Sequence, residues 1–469
     1  MVSSSFSGLS IALSALLAQR RAVDVTGHNV ANANTPGFTR QELVLATRTP
    51  LPAPIGLWRL QAGQVGTGVE MARTRRLRDQ FVDVQLRRQL HLLGHWRTTS
   101  EAMRRVEDTL LEPSDVNLAA LMTKFWDAWD ELGNAPRSAG ARVSLLGQAR
   151  SLASRLNGTY EQLAAMRREI DERLGVRLQD VNAVAQQIAA LNAQIRNVQA
   201  GGDAPNDLRD RRDLLLDKLA EALTFQAFED DHGSLSVYVG GTALVDGTTV
   251  NQISKDAAGT LVWERGGAAV DLHDGEFKAL LTMRDAVLPT RMRQLDDVAS
   301  ALLAGVNALH ETGFGLPDEF GVSATGQSFF TGTGAHDIAV ATSLIDDPSA
   351  IAAAASPDSP GDGSLAQTIA AYRHVAVAAL GGETIDGYYG GVIVQVGVEA
   401  RESEDQVTNQ GIVVDHLKQQ RESLSGVSLD EEAANLVRFQ HAYAAAAQFL
   451  STVDDMLDHL INVVGAAGH

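Results

Sequence analysis

Residues 2–41, VSSSFSGLSIALSALLAQRRAVDVTGHNVANANTPGFTRQ, open as one helical pattern and close on a turn. Val2, Leu9, Leu16, Val23 and Val30 recur every seventh residue, with Phe6 and Leu13 in the intermediate register. A seven-residue repeat stepped by threes and fours keeps one seam of a helix facing a partner. The far end of the chain carries the same repeat. Leu429, Leu436, Tyr443, Leu450, Leu457 and Val464 form one series, and Phe439, Ala446, Val453 and Leu460 the other. Ala442 and Ala444 to Ala447 keep that helix slim enough for close approach. The two ends are therefore expected to pair as a coiled coil, within one chain or between copies. Between them and the body, Asn29, Asn32 and Asn34 are suited to bond backbone groups freed where the first helix ends. Pro36-Gly37 redirects the chain, with Gly37 able to take positive φ. Phe38 anchors the new direction, and Arg40 and Gln41 are placed to reach an adjacent subunit.

The middle of the chain reads as helices interrupted by strands. Prolines 50, 52 and 54 exclude a central strand or helix just after the turn. Helices are expected from about Arg78 to Leu111, before Pro113; from Leu118 to Leu132; from Ala141 to Gln199; and from Leu208 to Leu223. From Phe225 the period changes to alternation, at Leu235, Val237 and Val239, with short strands expected at Leu261–Trp263 and Val270–Leu272. A helix at about 275–310 follows, then a Gly-, Ser- and Pro-rich segment to 364. Val392, Val394, Val396 and Val398 alternate as in a strand, but Val407, Gln410, Val414, Leu417, Arg421 and Leu424 keep helical spacing. One helix from Leu365 to about Leu424 is the expectation. The fold class is thus multidomain and mainly α, with a β-rich insert. A terminal coiled-coil domain would comprise 1–50 with 425–469. An elongated helical bundle would comprise 51–224 with 275–312 and 365–424, and an outer β-rich domain 225–274 with 313–364.

The chain has 469 residues, 45% of them hydrophobic, and a net charge of -19. Residues 1–105 hold fourteen arginines against six acidic residues, so the negative charge lies beyond them. Residues 401–469 hold four basic and eleven acidic residues, which suggests attraction between the two ends. The arginines are scattered rather than clustered with aromatics, which argues against nucleic acid. No cysteine is present, so disulfides and thiolate chemistry are excluded. The opening segment has its charges after the apolar part, the reverse of a secretory signal, and no run of eighteen apolar residues suggests a membrane span.

Catalytic patterns are weak. His91 and His95 stand four apart without the glutamate of a zinc hydrolase, and His310-Glu311 is followed by Phe314 where a second histidine is needed. Asp207, Asp210 and Asp213 alternate with Arg209, Arg211 and Arg212, which reads as surface charge pairing rather than a calcium loop. The paired glycines lack the phosphate-loop lysine, and no Gly-x-Ser-x-Gly elbow occurs. No enzyme activity and no cofactor are expected.

The stretch SGLSIALSALLAQRRAVDVTGHNVANANTPGFTRQ resembles the N-terminal signature of the axial proteins of the bacterial flagellum. SGVSLDEEAANLVRFQHAYAAAAQFLSTVDDMLD is similar to their C-terminal helix. Within that superfamily, Gly37-Phe38-Thr39-Arg40-Gln41, Gly66-Thr67-Gly68-Val69 and Asn206-Asp207-Leu208-Arg209-Asp210 resemble the flagellar hook-associated protein 1 family, which sits at the hook–filament junction. The resemblance covers about 1–110, 200–225 and 365–469. It implies a secreted, extracellular structural subunit exported unfolded through the flagellar type III channel. It also implies a homo-oligomeric ring, the hook protein and the second junction protein as neighbours, and an export chaperone on the C-terminal helix. Hook or distal rod protein, or a non-flagellar coiled-coil adaptor, are the alternatives. The implied assembly contacts are Leu9, Leu13, Leu16, Val23, Val30, Asn32, Asn34, Pro36, Gly37, Phe38, Arg40 and Gln41. Across from them stand Leu436, Phe439, Tyr443, Leu450, Val453, Leu457 and Leu460.

Overall fold

The computed structural model describes residues 2–50, 66–111 and 117–466, with side chains omitted at 2–6, 111, 460 and 463–466. Pro52, Pro54 and Pro113 lie outside the described residues, as do the side chains of Val2, Phe6, Leu460 and Val464. Eleven α-helices and twelve short strands are present among the described residues. The chain is a mostly helical multidomain protein whose long terminal helices pair.

Helix α1 (Val2–Asn32) packs against α11 (Leu429–Ala466). They run antiparallel, since Gly8 faces Val453 and Asn29 faces Glu432. The buried side chains of α1 are mostly small: Ala12, Ser14, Ala18, Ala22, Val25 and Thr26. A Cβ at Gly8 would stand 3.5 Å from Val453 Cγ2, which is close contact without overlap. Strands β1 (Gln41–Thr47) and β2 (Val69–Arg76) form an antiparallel pair alongside α1. Gly68, with φ +101°, lets β2 start against Ser14, whose hydroxyl accepts from Val69 N–H.

A second antiparallel pair continues the structure. Helix α2 (Gln80–Leu111) packs along α10 (Ile385–Ser425), with Leu86, Leu90 and Leu93 meeting Val414 and Leu417. The alternating valines lie in helix, because Val392, Val396 and Ala400 are one turn apart and buried while Val394 and Val398 are more than half exposed. Both periodicities share the points 392 and 396, so alternation alone could not separate them. The single helix expected from 365 is broken, however. Helix α9 (Ser364–Ala371) stops, and Gly381 and Gly382 hold φ of 71° and 87° before Thr384 caps α10.

Helix α3 (Leu118–Asn134), α4 (Ala139–Ala200) and α5 (Asn206–Ala222) follow the expected bounds within two or three residues. Asn117 and Ser138 cap α3 and α4. Helix α6 (Glu276–Thr282) runs through a π-helical turn at 283–287 into α7 (Leu288–His310). Pro289 accounts for that turn, since it has no N–H for the α-helical ladder.

The strands interrupt the helical body at two stations along α4. Strands β3 (Gln226–Glu229), β4 (Leu235–Val239), β5 (Thr242–Asp246) and β6 (Thr249–Val250) form an antiparallel sheet. Strands β7 (Ile253–Lys255) and β8 (Leu261–Trp263) pair beside it. Val270–Leu272 forms no strand; the chain there makes one bridge, at Ala269, before turning into α6. Asn192 and Asn182 fasten this layer by bonding the backbones of Leu235 and Ile253. Strands β9 (Phe314–Pro317), β10 (Ser323–Thr325), β11 (Phe330–Thr331) and β12 (Ala339–Val340) form two further pairs, followed by α8 (Thr342–Asp346). Asn157 fastens these by donating to Ala335 O and Ile338 O. Asn157 and Asn182 are 25 residues apart, or about 37 Å along the helix. Segments 225–274 and 313–364 thus meet α4 at two stations along its length.

The station near the start of α4 holds the densest aromatic packing: Phe125 and Trp129 of α3 against Phe329 and Phe330, with Trp126 between Phe125 and Tyr372. Buried Arg142 donates to the carbonyls of Pro136, Pro348, Ser349 and Ile351 there. Burial pulls its pKa down to about 10, against the weaker pull of Asp347. His310, edge-on to Trp129, joins Gln327 O at Nδ1 (2.6 Å) and accepts at Nε2 from Ala352 N–H (2.9 Å). That pairing needs the neutral ring with the proton on Nδ1, and burial pushes its pKa down to about 4. The neutral ring stabilises the fold fully above the unfolded pKa of about 6.5, and this is lost as pH falls toward 4. The shift corresponds to roughly 3 kcal/mol. Urea unfolding of wild type should therefore lose about that much between pH 7 and pH 4 relative to His310→Gln; equal losses would show that His310 does not titrate in the transition.

Candidate assembly joint

The turn after α1 is where six elements meet: α1, β1, β2, α5, α10 and α11. Asn29, 1% exposed, pairs its side-chain amide with the backbone of Gln41 in both directions: Nδ2 donates to Gln41 O (2.9 Å) and Oδ1 accepts from Gln41 N–H (3.0 Å). An amide side chain presents the same donor and acceptor as a strand neighbour, so Asn29 substitutes for one at the start of β1. Asn32 bonds back to His28 O, closing the last turn of α1, and accepts from Thr35 Oγ1. Asn34, Thr35, Pro36 and Gly37 are exposed. Gly37 has φ +79°, and a Cβ there would lie 3.3 Å from Leu214, so its turn requires glycine. Phe38 is half-buried, edge-on to His28 at 5.3 Å.

Thr39 to Gln41 then bind outward in several directions. Thr39 N–H donates to Asp210 Oδ2 (3.0 Å) and Arg40 N–H to Ser425 O at the end of α10 (2.9 Å). Leu77 N–H donates to Arg40 O, carrying β2 into the same joint. The Arg40 guanidinium reaches the first turn of α11, at Glu431 (2.6 Å) and Glu432 (2.7 Å). Burial works against its charge, but the two carboxylates outweigh this and hold its pKa above the ordinary arginine value. Gln41 Nε2 donates to Asp207 (2.7 Å), and Gln41 Oε1 accepts from Asn206 (3.1 Å). Both polar side chains expected to reach a neighbour thus spend these groups inside the chain.

Below the joint lies an ion network that is largely buried rather than at the surface. Asp210 and Asp213 do not pair with Arg209, Arg211 and Arg212. They pair with Arg76 of β2, at 2.9 and 2.7 Å, and Asp213 also with Arg78 and Arg87. Asp217 joins Arg87 (2.8 Å) and Arg421 of α10 (2.6 Å), while Arg78 holds Asp83. Asp207, Asp210, Asp213 and Asp217 recur at helical spacing, so one face of α5 is a ladder of carboxylates. Burial raises the pKa of Asp210 past the lowering by Arg76 and Thr39. Asp213 is also opposed by burial, yet Arg78, Arg76 and Arg87 together hold it below the usual range. Arg212 turns to the other side, donating to Asn192, Gly233 O and Glu229. The basic N-terminal part is therefore balanced mainly by α5, and by the C-terminal helix at Arg40.

The expected contact residues on the terminal helices are unevenly placed. Val453 is buried; Leu9, Leu16, Val23, Leu436, Phe439, Leu450 and Leu457 are half-buried. Leu13, Val30 and Tyr443 are 51%, 44% and 43% exposed. Leu17, Val437, Phe449, Met456 and Ile461 add to this open apolar surface. Among the described residues no group of three or more His, Asp or Glu is arranged to hold a metal ion, and no helix is long and apolar enough to cross a membrane.

Three family models match this chain. One, described as flagellar hook-associated protein FlgK helical domain, matches residues 103–330. Flagella basal body rod protein matches 9–39, and flagellar basal body rod FlgEFG protein C-terminal matches 418–463. The chain is similar to flagellar hook-associated protein 1 of Bacillus subtilis (strain 168), 30% identical over the whole of both chains. It is 26% identical to the Escherichia coli (strain K12) protein of the same name, over 96% of this chain and 98% of that one. The flagellar hook junction protein FlgK from Burkholderia pseudomallei shares the fold, with a TM-score of 0.62 at 15% identity, covering 73% of this chain and all of that one.

Proposed function

This chain belongs to the flagellar hook-associated protein 1 family, a structural axial protein of the bacterial flagellum, and from that premise we propose that it forms the ring joining hook to filament. The observation that carries this reading is the apolar surface left on a pair of helices already packed together. Leu13, Leu17 and Val30 on α1 and Tyr443, Phe449, Met456 and Ile461 on α11 are each at least two-fifths exposed. Such a surface along one rod is what further copies of the same rod would cover. In this reading the 1–50 with 425–469 unit lines the core of the tube, and the helical body and its two β layers face outward. Hook protein lies below the ring and the second junction protein above it. An export chaperone shields the C-terminal helix before secretion, and the ring adapts a curved hook to a stiffer filament while templating its subunits.

The test is electron microscopy of a deletion strain. Hooks should form without filaments, and filament protein should be lost to the medium. Normal filaments would refute the function; absent hooks would favour a hook or distal rod protein instead.

A further inference from the structure

Helix α11 packs along α1, yet few of its side chains are fully buried. Of its described side chains, Glu432 and Val453 alone are buried. Acids in a first helical turn usually sit in solvent, where the helix dipole favours them. Glu431 does so, with a side chain 63% exposed, but the side chain of Glu432 is 2% exposed. Glu432 Oε1 accepts from Arg40 Nε (2.7 Å), and Oε2 accepts from Asn29 Nδ2 (3.2 Å). Asn29 passes the connection to the Gln41 backbone, and Gln41 passes it to Asn206 and Asp207 at the start of α5. The attachment of the turn to α10 is separate, because Arg40 N–H bonds the backbone of Ser425.

We propose that Glu432 is a latch: docking of the first turn of α11 and ordering of the Asn29–Gln41 pairing are one cooperative event. With Glu432 withdrawn, Arg40 Nε loses an acceptor in a partly buried setting and buried Asn29 Nδ2 loses one of its two, so the Asn29–Gln41 pairing loses its support. A partner that captures α11 by its apolar face would therefore loosen the joint that carries the body. Conversely, an ordered joint favours a docked α11. Such coupling is reciprocal by linkage. It is a property of the lone chain and stands or falls apart from the ring reading.

Hydrogen exchange on the full-length chain tests this. Glu432→Gln should raise exchange of the Gln41 amide about tenfold, the value of one lost charge-assisted bond. Asn29→Ala should raise exchange of the first amides hydrogen-bonded within α11 by a similar factor. Glu431→Gln should leave both within about twofold, as for an exposed pair. Unchanged exchange in the α4 interior identifies variants whose body is intact. Should Glu432→Gln fail that criterion, Glu432→Asp, which keeps the charge and shortens its reach, is read by the same rule. An intact variant with wild-type exchange at Gln41, or an Asn29→Ala chain with an unaffected α11, would overturn the latch.

Discussion

Leu450→Asp is expected to abolish incorporation into the flagellum while leaving the helical body folded. Leu450 is half-buried on α11, one turn from Val453, and shares its side of the helix with Leu457. A carboxylate there meets apolar surface, whether that of α1 or of a further copy. Desolvating an unpaired charge costs several kcal/mol. The body does not depend on this position, since its core is formed by α3, α4, α7, α9 and the strands. Secreted variant should therefore show native near-ultraviolet circular dichroism, yet be absent from purified hook–filament preparations. Incorporation at the wild-type level would sink the terminal-helix interface.

The largest loss of stability is expected from Asp213→Ala, at about 3–5 kcal/mol. Three guanidiniums, of Arg76, Arg78 and Arg87, converge on Asp213 from β2, from the segment before α2 and from α2 itself. Removing the carboxylate leaves them facing one another with Asp210, Asp217 and Asp83 as remaining counter-charges. Glu42→Ala breaks the Arg75 pair, in which both side chains are about half exposed, and should cost no more than about 0.5 kcal/mol. Urea unfolding of the two variants side by side separates a buried network from surface pairing. Equal midpoints would show that the network contributes no more than an exposed pair.

The terminal helices were legible because a repeat of seven is written into both. What the repeat did not show was which side chains of α1 would be fully buried. The large residues Leu13 and Val30 are exposed, whereas Ala12, Ala18 and Ala22 on α1 are buried. Small residues carry little hydrophobic signal but permit the closest approach. The break before α10 was signalled only by Gly381-Gly382, since the valine alternation fits helix and strand alike at 392 and 396. The joint was half legible. Asn29 and Gly37 could be read as a capped end and a turn, but Glu432 is 403 residues from Asn29. The carboxylate ladder on α5 has helical spacing, and Arg76 and Arg78 stand two apart at the end of β2 and just beyond it. Nothing local says that the ladder and these arginines meet, so nearby arginines were the more economical partners.

Electron cryomicroscopy of the sheared hook–filament junction tests the central claim most directly. The account predicts a single layer of this chain between hook and filament, with α1 and α11 innermost and the two β layers on α4 outermost. A junction layer lacking this chain, or one with its terminal helices directed outward, would contradict it.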